Sequence, residues 1–582
     1  MGRSVLGAAM LAAGLVAGTT LQGMAAGEPI VLQPVQASVE DIDPGRLYSS
    51  PALAIDPDDP RRMIAGFADL RTRRCAVMRS TDAAQTWSRG KNVPGTAEYP
   101  FCSQSQGGVI QAPVAFGGEG TVYMALGGWG EEEGARTSGA IMVSRSTDLG
   151  DNWTTTVAYS ARGKTGADAE NVRPVQSIAV EARKGTEDVV YITFARTKPN
   201  VTAPNAEPAQ PMVSVSRDGG RTFAEPVGLV GGLFDAQAVR DQAFRAVTTT
   251  TAAPGATTTS TTAPAAGSRA ATPDQAVNFA SAGSRNGMVA RVDSKGVAYV
   301  VWPTGTANVT PAPPSAMAVS TSRDQGRTWS SVVGIPFSYD NARGGPANAY
   351  QQLAVSPQTG SLHIVYNQNP TPAIEGRSDV FHRASYDGGA TWTAPKDITD
   401  DRADLYAGQF FPNLTIAPNG RIDIAWWDTR DTPGMRLNDV YYSYSIDDGQ
   451  TWSRNQRITD RSIDRNLGVW GANYDIASQP GIASTDAFAL FGWDDTRRSD
   501  PALLLQGSPG NGLQDLYVSA AQFSEIPSAS SSDTARMVLA GAIGLLAVGL
   551  VLVLITFVVG RRRGGPPPAP RPVAEKETAA TH

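Results

Sequence analysis

The chain holds two cysteines and three histidines in 582 residues, and none of them are clustered. A zinc centre therefore has nothing to form from, since such sites need three or four closely spaced nitrogen or sulfur ligands. There is no phosphate-cradling Gly-Lys loop and no Gly-x-Ser-x-Gly elbow, so no cofactor is expected. A net charge of −6 supplies no basic surface for nucleic acid. Aromatics are sparse at 7%, whereas 60 glycines and 40 prolines suit a turn-rich all-β chain.

What the chain does contain is an octapeptide written six times. STDAAQTW (80–87), STDLGDNW (146–153), SRDGGRTF (216–223), SRDQGRTW (322–329), SYDGGATW (385–392) and SIDDGQTW (445–452) share Ser-x-Asp-x-Gly-x-Thr-Trp. The first has Ala84 for glycine, the second Asn152 for threonine, and the third ends in Phe223. Their aspartates, Asp82, Asp148, Asp218, Asp324, Asp387 and Asp447, step by 66, 70, 106, 63 and 60 residues. The one long step contains a Thr/Ala/Pro tract (245–273) with no hydrophobic periodicity and almost no charge, which reads as a disordered insertion.

Two apolar strands around a polar turn precede each octapeptide, as in NLTIAPNGRIDIAWW, and a third strand such as DVYYSYS leads into it. Each unit is thus a four-stranded meander with the octapeptide at its third turn. There the Asp carboxylate accepts backbone N–H bonds, glycine supplies a positive φ, and Trp brings a large apolar side chain to bury. A calcium loop is the rival reading. Each copy offers only one or two carboxylates without EF-hand spacing, which favours a fold staple.

A seventh strand pair (480–495) and a third strand (515–523) are followed by no octapeptide, leaving an open edge. EPIVLQPVQ (28–36) is the segment expected to cover it, giving a seven-bladed propeller, with six blades as the alternative. The six octapeptides are Asp boxes, or bacterial neuraminidase repeats. Over residues 28–523 the chain resembles the sialidase-like propeller superfamily, whose Asp boxes occur in glycosidases and non-enzymes alike.

The flanks speak to location. Residues 1–26 have the basic start, apolar run and small-residue end of a secretory signal. Residues 537–559 carry no charge and are long enough to cross a hydrocarbon core of about 30 Å. Arg561, Arg562 and Arg563 follow, which puts the Pro-rich tail (560–582) in the cytoplasm and the propeller outside. A Ser-rich tether (524–536) joins the two, reaching at most about 40 Å. In an oxidising compartment Cys75 and Cys102 are expected to pair; two free thiols are the alternative.

In such a meander the octapeptides lie on one face of the disc, and the blade-to-blade linkers lie on the other with the loops between strands two and three. The linker face is the expected ligand side. An acid-x-Arg recurs there as Asp69/Arg71, Asp428/Arg430 and Asp495/Arg497, read as salt bridges within their own loops. Around the channel mouth the candidate ligand-binding residues are Arg46, Arg173, Arg343, Tyr350 and Gln409, with Tyr48 nearby. The resemblance implies three clamp arginines, a Tyr nucleophile with a Glu partner, and an Asp acid/base; the candidates are Tyr406, Tyr474, Asp475 and Glu170. The family's Arg-Ile-Pro element is absent from residues 28–79, and Val172-Arg173-Pro174, its nearest echo, comes two blades late. The expectation is a membrane-tethered propeller binding a glycan or envelope protein, with an exo-sialidase at the cell surface as the alternative.

Overall fold

The computed structural model describes residues 28–38, 47–70, 72–102, 112–132, 135–136, 139–165, 169–172, 177–197, 210–229, 233–235, 276–278, 288–304, 316–330, 333–336, 351–368, 377–401, 407–432, 437–468, 479–499 and 513–523. The chain divides into two units, 1–527 and 528–582, and every described residue belongs to the first. The signal segment, the Thr/Ala/Pro tract, the tether, the apolar run 537–559 and the tail lie outside the described residues. Among the described residues no helix is long and apolar enough to cross a membrane.

Seven antiparallel sheets of four or five strands follow one another along the chain, six of them ordered one-two-three-four as a meander. Their inner strands are Tyr48–Ile55, Val114–Phe116, Ser177–Glu181, Val289–Val292, Gln352–Val355, Gln409–Ile416 and Gly481–Ser484. Each inner strand touches the next, and the seventh touches the first, which closes a seven-bladed ring. Blade seven takes its outer strand from the N-terminal segment: Ile30 and Val31 pair antiparallel with Gln522 and Ala521, and Val35 and Gln36 with Val518 and Tyr517. The six-bladed alternative is set aside by this count.

Packing between neighbours explains the residue pattern. A blade is covered on both faces, so its second strand loses the alternation of a half-exposed strand; Met63–Asp69 and Ile422–Asp428 are buried throughout. The apolar side chains gather into seven clusters, one per pair of adjacent blades. Six of these hold the last residue of an Asp box: Trp87, Trp153, Phe223, Trp329, Trp392 and Trp452 each lean onto the preceding blade. The box aromatic is therefore a wedge between blades. In most blades it stands several residues ahead of the outer strand, as Trp87 does before Lys91–Asn92.

Inside each box the carboxylate is saturated by its own turn. In the fifth, Asp387 Oδ1 accepts from Ser385 Oγ (2.8 Å) and the Thr391 N–H (2.9 Å), and Oδ2 accepts from Thr391 Oγ1 (2.5 Å). Asn152 replaces threonine in the second box by donating Nδ2 to Asp148 Oδ2 at 2.7 Å. These bonds hold the carboxyls below their ordinary range: the Asn152 N–H takes Asp148 to about 2, and the Thr328 hydroxyl does the same for Asp324. The fourth and fifth box residues both have positive φ, as in Gly388 (71°) and Gly389 (93°).

The first box has alanine where the other five have glycine, with Ala83 at φ 59° and Ala84 at φ 67°. A Cβ in the left-handed region costs roughly 1–2 kcal/mol, of which the looser unfolded chain of a glycine returns part. Ala84→Gly is expected to stabilise the protein by about 0.5–1 kcal/mol, and Gly389→Ala to destabilise it similarly. Thermal unfolding of both variants checks this, and a lower midpoint for Ala84→Gly would contradict it.

Cys75, in the third strand of blade one, is bonded to Cys102, which pairs with Gly128 in blade two. The disulfide thus joins two blades across the linker between them.

Candidate functional site

The linker face is built by the ends of the second strands and the starts of the third and inner strands. In blade six Asp428 is fully buried and accepts from Trp426 Nε1 (2.9 Å), the Arg430 N–H (2.8 Å) and Arg430 Nε (2.8 Å). Arg430 goes on to Asp400 at 2.7 Å and stacks over Tyr441 at 4.4 Å. Blade seven repeats this: Asp495 accepts from Trp493 Nε1 (3.0 Å) and Arg497 (2.8 Å), and Arg497 reaches Asp460 and stacks over Tyr517. Both arginines are held as salt bridges within their loops. In blade one Arg71 lies outside the described residues, and Asp69 instead accepts from Thr72 Oγ1 at 2.7 Å.

Between blades five and six these loops converge on a group not visible from spacing. Arg377 bridges Asp379 (2.9 Å) and Asp401 (3.2 Å), all three side chains being buried. Gln409 sits between two carboxylates: its amide nitrogen lies 3.3 Å from Asp428 Oδ1, or 3.2 Å from Asp379 Oδ1 with the amide turned over. Burial pushes the Asp379 carboxyl up to about 7, outweighing its bond to Arg377. A carboxyl so placed exchanges a proton near neutral pH, which is what an acid/base group requires. Arg377 and Asp379 are neighbours in sequence, and the fold brings residues 401, 409 and 428 to them.

Of the candidates named from the sequence, Gln409 belongs to this group. Glu170 lies in the linker after blade two, bonded to Lys164 Nζ (2.6 Å), to Arg196 Nε (3.4 Å) and to the Tyr159 hydroxyl. It is a buried cross-link on a different blade from Gln409. Tyr48 is also buried, packed on Phe67 at 4.7 Å between ring centres. Arg46, Arg173, Arg343, Tyr350, Tyr406, Tyr474 and Asp475 lie outside the described residues.

Two of the three histidines, read from the sequence as unclustered, do meet. His363 Nδ1 is 3.0 Å from His382 Nε2, and His363 Nε2 is 3.1 Å from Asp448 in the sixth Asp box. They are buried, and among the described residues no group of three or more side chains is placed to hold a metal ion.

Along the axis runs a cavity of about 430 Å³, lined by the inner strands of all seven blades. Its linker side carries an amide network: Gln352 Nε2 donates to Gln479 Oε1 (2.6 Å), Gln479 Nε2 to Pro412 O (2.8 Å), and Asn413 Nδ2 to Pro480 O (2.9 Å). Asn413 follows a bulge in which Phe411 takes φ 52° ahead of Pro412; blade one has the same bulge, with Ser50 at φ 61° ahead of Pro51.

The BNR repeat-like domain matches residues 120–424, more than half of the chain. Among solved structures, a protein of unknown function from Dyadobacter fermentans is similar at 11% identity and TM-score 0.37, covering 85% of this chain and 98% of that one. The Trypanosoma rangeli sialidase in complex with 2,3-difluorosialic acid is similar at 11% identity and TM-score 0.36, and covers 74% of this chain. The match spans only 55% of that sialidase. A Hadza microbial sialidase is similar at 16% identity and TM-score 0.37, covering 79% of this chain and 73% of its own. With six saturated Asp boxes on a closed seven-bladed ring, the chain belongs to the BNR repeat-like family, as a sialidase-like Asp-box propeller.

Proposed function

We propose that this propeller is a binding module held at the outer surface of a membrane, recognising a glycan or a cell-envelope protein on its linker face. The observation that carries the reading is the contrast between the faces. Each Asp-box carboxylate is consumed by its own turn. The linker face instead gathers Arg377, Asp379, Asp401 and Gln409 beside the amide network at the channel, and Asp379 Oδ2 is buried there with no hydrogen-bond partner among the described residues. Carboxyl and carboxamide groups at the edge of a channel suit the hydroxyls of a sugar or the polar groups of a peptide. The signal-like start, the apolar run 537–559 and the arginines after it support the location.

Sialidase-type hydrolysis is the second reading, and the Asp379 carboxyl near 7 beside Arg377 favours it. Glycan-array binding and turnover of a fluorogenic sialoside by the full-length protein separate the two. Saturable binding without turnover is expected. Turnover that is abolished by Asp379→Asn, Tyr406→Phe or Tyr474→Phe would replace binding with hydrolysis. Failure to retain any glycan or envelope protein would remove the first reading.

A further inference from the structure

Among the described residues that line the axial cavity one side chain is charged, Arg291, on the inner strand of blade four. It occupies the residue before the strand's last. By strand register the equivalent position is alanine in blades one, two, three, five and seven and Thr415 in blade six. A ring of small side chains therefore leaves room beside a single guanidinium.

That guanidinium makes one hydrogen bond, from Nη1 to the Ala290 carbonyl at 2.7 Å, and no ion pair among the described residues. In this it differs from Arg377, Arg421, Arg430 and Arg497, each of which meets a carboxylate within 3 Å. A cation drawn away from water without a counter-charge is costly, and the cost falls when an anion joins it. Among the described residues no carboxylate lines the cavity, so none of them competes for that place.

We propose that the axial cavity is an anion-binding site in which the Arg291 guanidinium holds a small free oxyanion such as sulfate, phosphate or a short carboxylate. Burial alone lowers the Arg291 pKa, to about 10, which leaves the side chain charged throughout the physiological range. The site differs from the linker-face acids in residues and in charge, so its standing does not depend on the glycan reading.

Calorimetric titration of the full-length protein with sulfate, phosphate and acetate at constant ionic strength tests the proposal. Saturable binding of at least one of the three is expected, weakened at least tenfold in Arg291→Met and less in Arg291→Lys. Thermal unfolding adds a sign. Without oxyanion, Arg291→Met should unfold at the same temperature as the parent or higher, because it removes a partly buried charge that has no counter-ion among the described residues. In saturating oxyanion the order should reverse. Sulfate also stabilises proteins by exclusion from their surfaces, so equal stabilisation of parent and variant would overturn the proposal. No saturable heat with any of the three anions on the parent would overturn it whether or not a variant folds.

Discussion

Deleting residues 28–37 is expected to open the ring and cost more stability than any single substitution. The segment supplies the outer strand of blade seven through paired backbone groups, including the Leu32 N–H to Ala520 O (2.8 Å) and the Ala37 N–H to Leu516 O (2.9 Å). Its side chains contribute less. Ile30 is 64% exposed, and Leu32 and Val35 are each 43% exposed, so apolar burial is not the main stabilising term. Half a dozen backbone bonds at about 1 kcal/mol net each give a loss of roughly 6 kcal/mol. The freed edge at Asp515–Gln522 is also a template for pairing with another chain. The expected result is a large fall in the unfolding midpoint together with aggregation. Ile30→Thr and Val35→Thr, which leave the backbone pairing intact, should each change stability by no more than about 0.5 kcal/mol. A deletion variant that unfolds cooperatively within a few degrees of the parent would show that the closure is dispensable.

This closure was legible in the sequence, and its legibility shows where sequence reading works. Every Asp box but a seventh was present, so the last blade lacked its fourth strand, and the only unassigned strand-like segment stood at the N-terminus. The blade count followed from periodicity, because a ring of equivalent units must repeat its turn chemistry. The Cys75–Cys102 pair was legible for a different reason: both cysteines lie in the segment expected to be exported, where an oxidising compartment favours pairing.

The candidate site was less legible because it is made of departures from the repeat. Arg377 and Asp379 are two residues apart and Asp428 stands in the recurring acid-x-Arg, but Asp401 and Gln409 look like ordinary polar residues in the sequence, and only the fold brings the two local pairs together through them. Arg291 lies in MVARVDSKG, where one charge on a short strand is unremarkable. Its meaning came from what the other six blades place at the same height. The bulges at Ser50-Pro51 and Phe411-Pro412 carried a usable signal, a proline within an inner strand, and that signal marks where the channel amides are re-aimed. The histidine pair had none, since His363 and His382 lie on neighbouring strands 19 residues apart.

The second large effect is expected at Arg421, where the repeat breaks. Six of the seven interfaces between blades are wedged by a box aromatic, but blade seven has no Asp box, so the interface between blades six and seven needs another device. Arg421 of blade six supplies it. The side chain is 1% exposed. It pairs with Asp423 at 2.8 Å and donates to the carbonyls of Thr485 and Asp486, both at 2.9 Å, in the first turn of blade seven. Its guanidinium lies 4.0 Å from the ring centre of Phe523, which follows the third strand of blade seven and packs in the same apolar cluster. Asp423 also accepts from the Tyr442 hydroxyl at 2.6 Å, so removing Arg421 leaves a buried carboxylate with one neutral donor and two carbonyls with none. Breaking a buried pair in this way typically costs 3–5 kcal/mol, and Arg421→Ala is expected to lose about that much in chemical denaturation. Arg421→Lys keeps the charge but not the planar fork that reaches Asp423 and two carbonyls at once, so it should recover only part of the loss. An Arg421→Ala variant within about 1 kcal/mol of the parent would mean that Phe523 alone wedges the last interface, as the box aromatics do elsewhere.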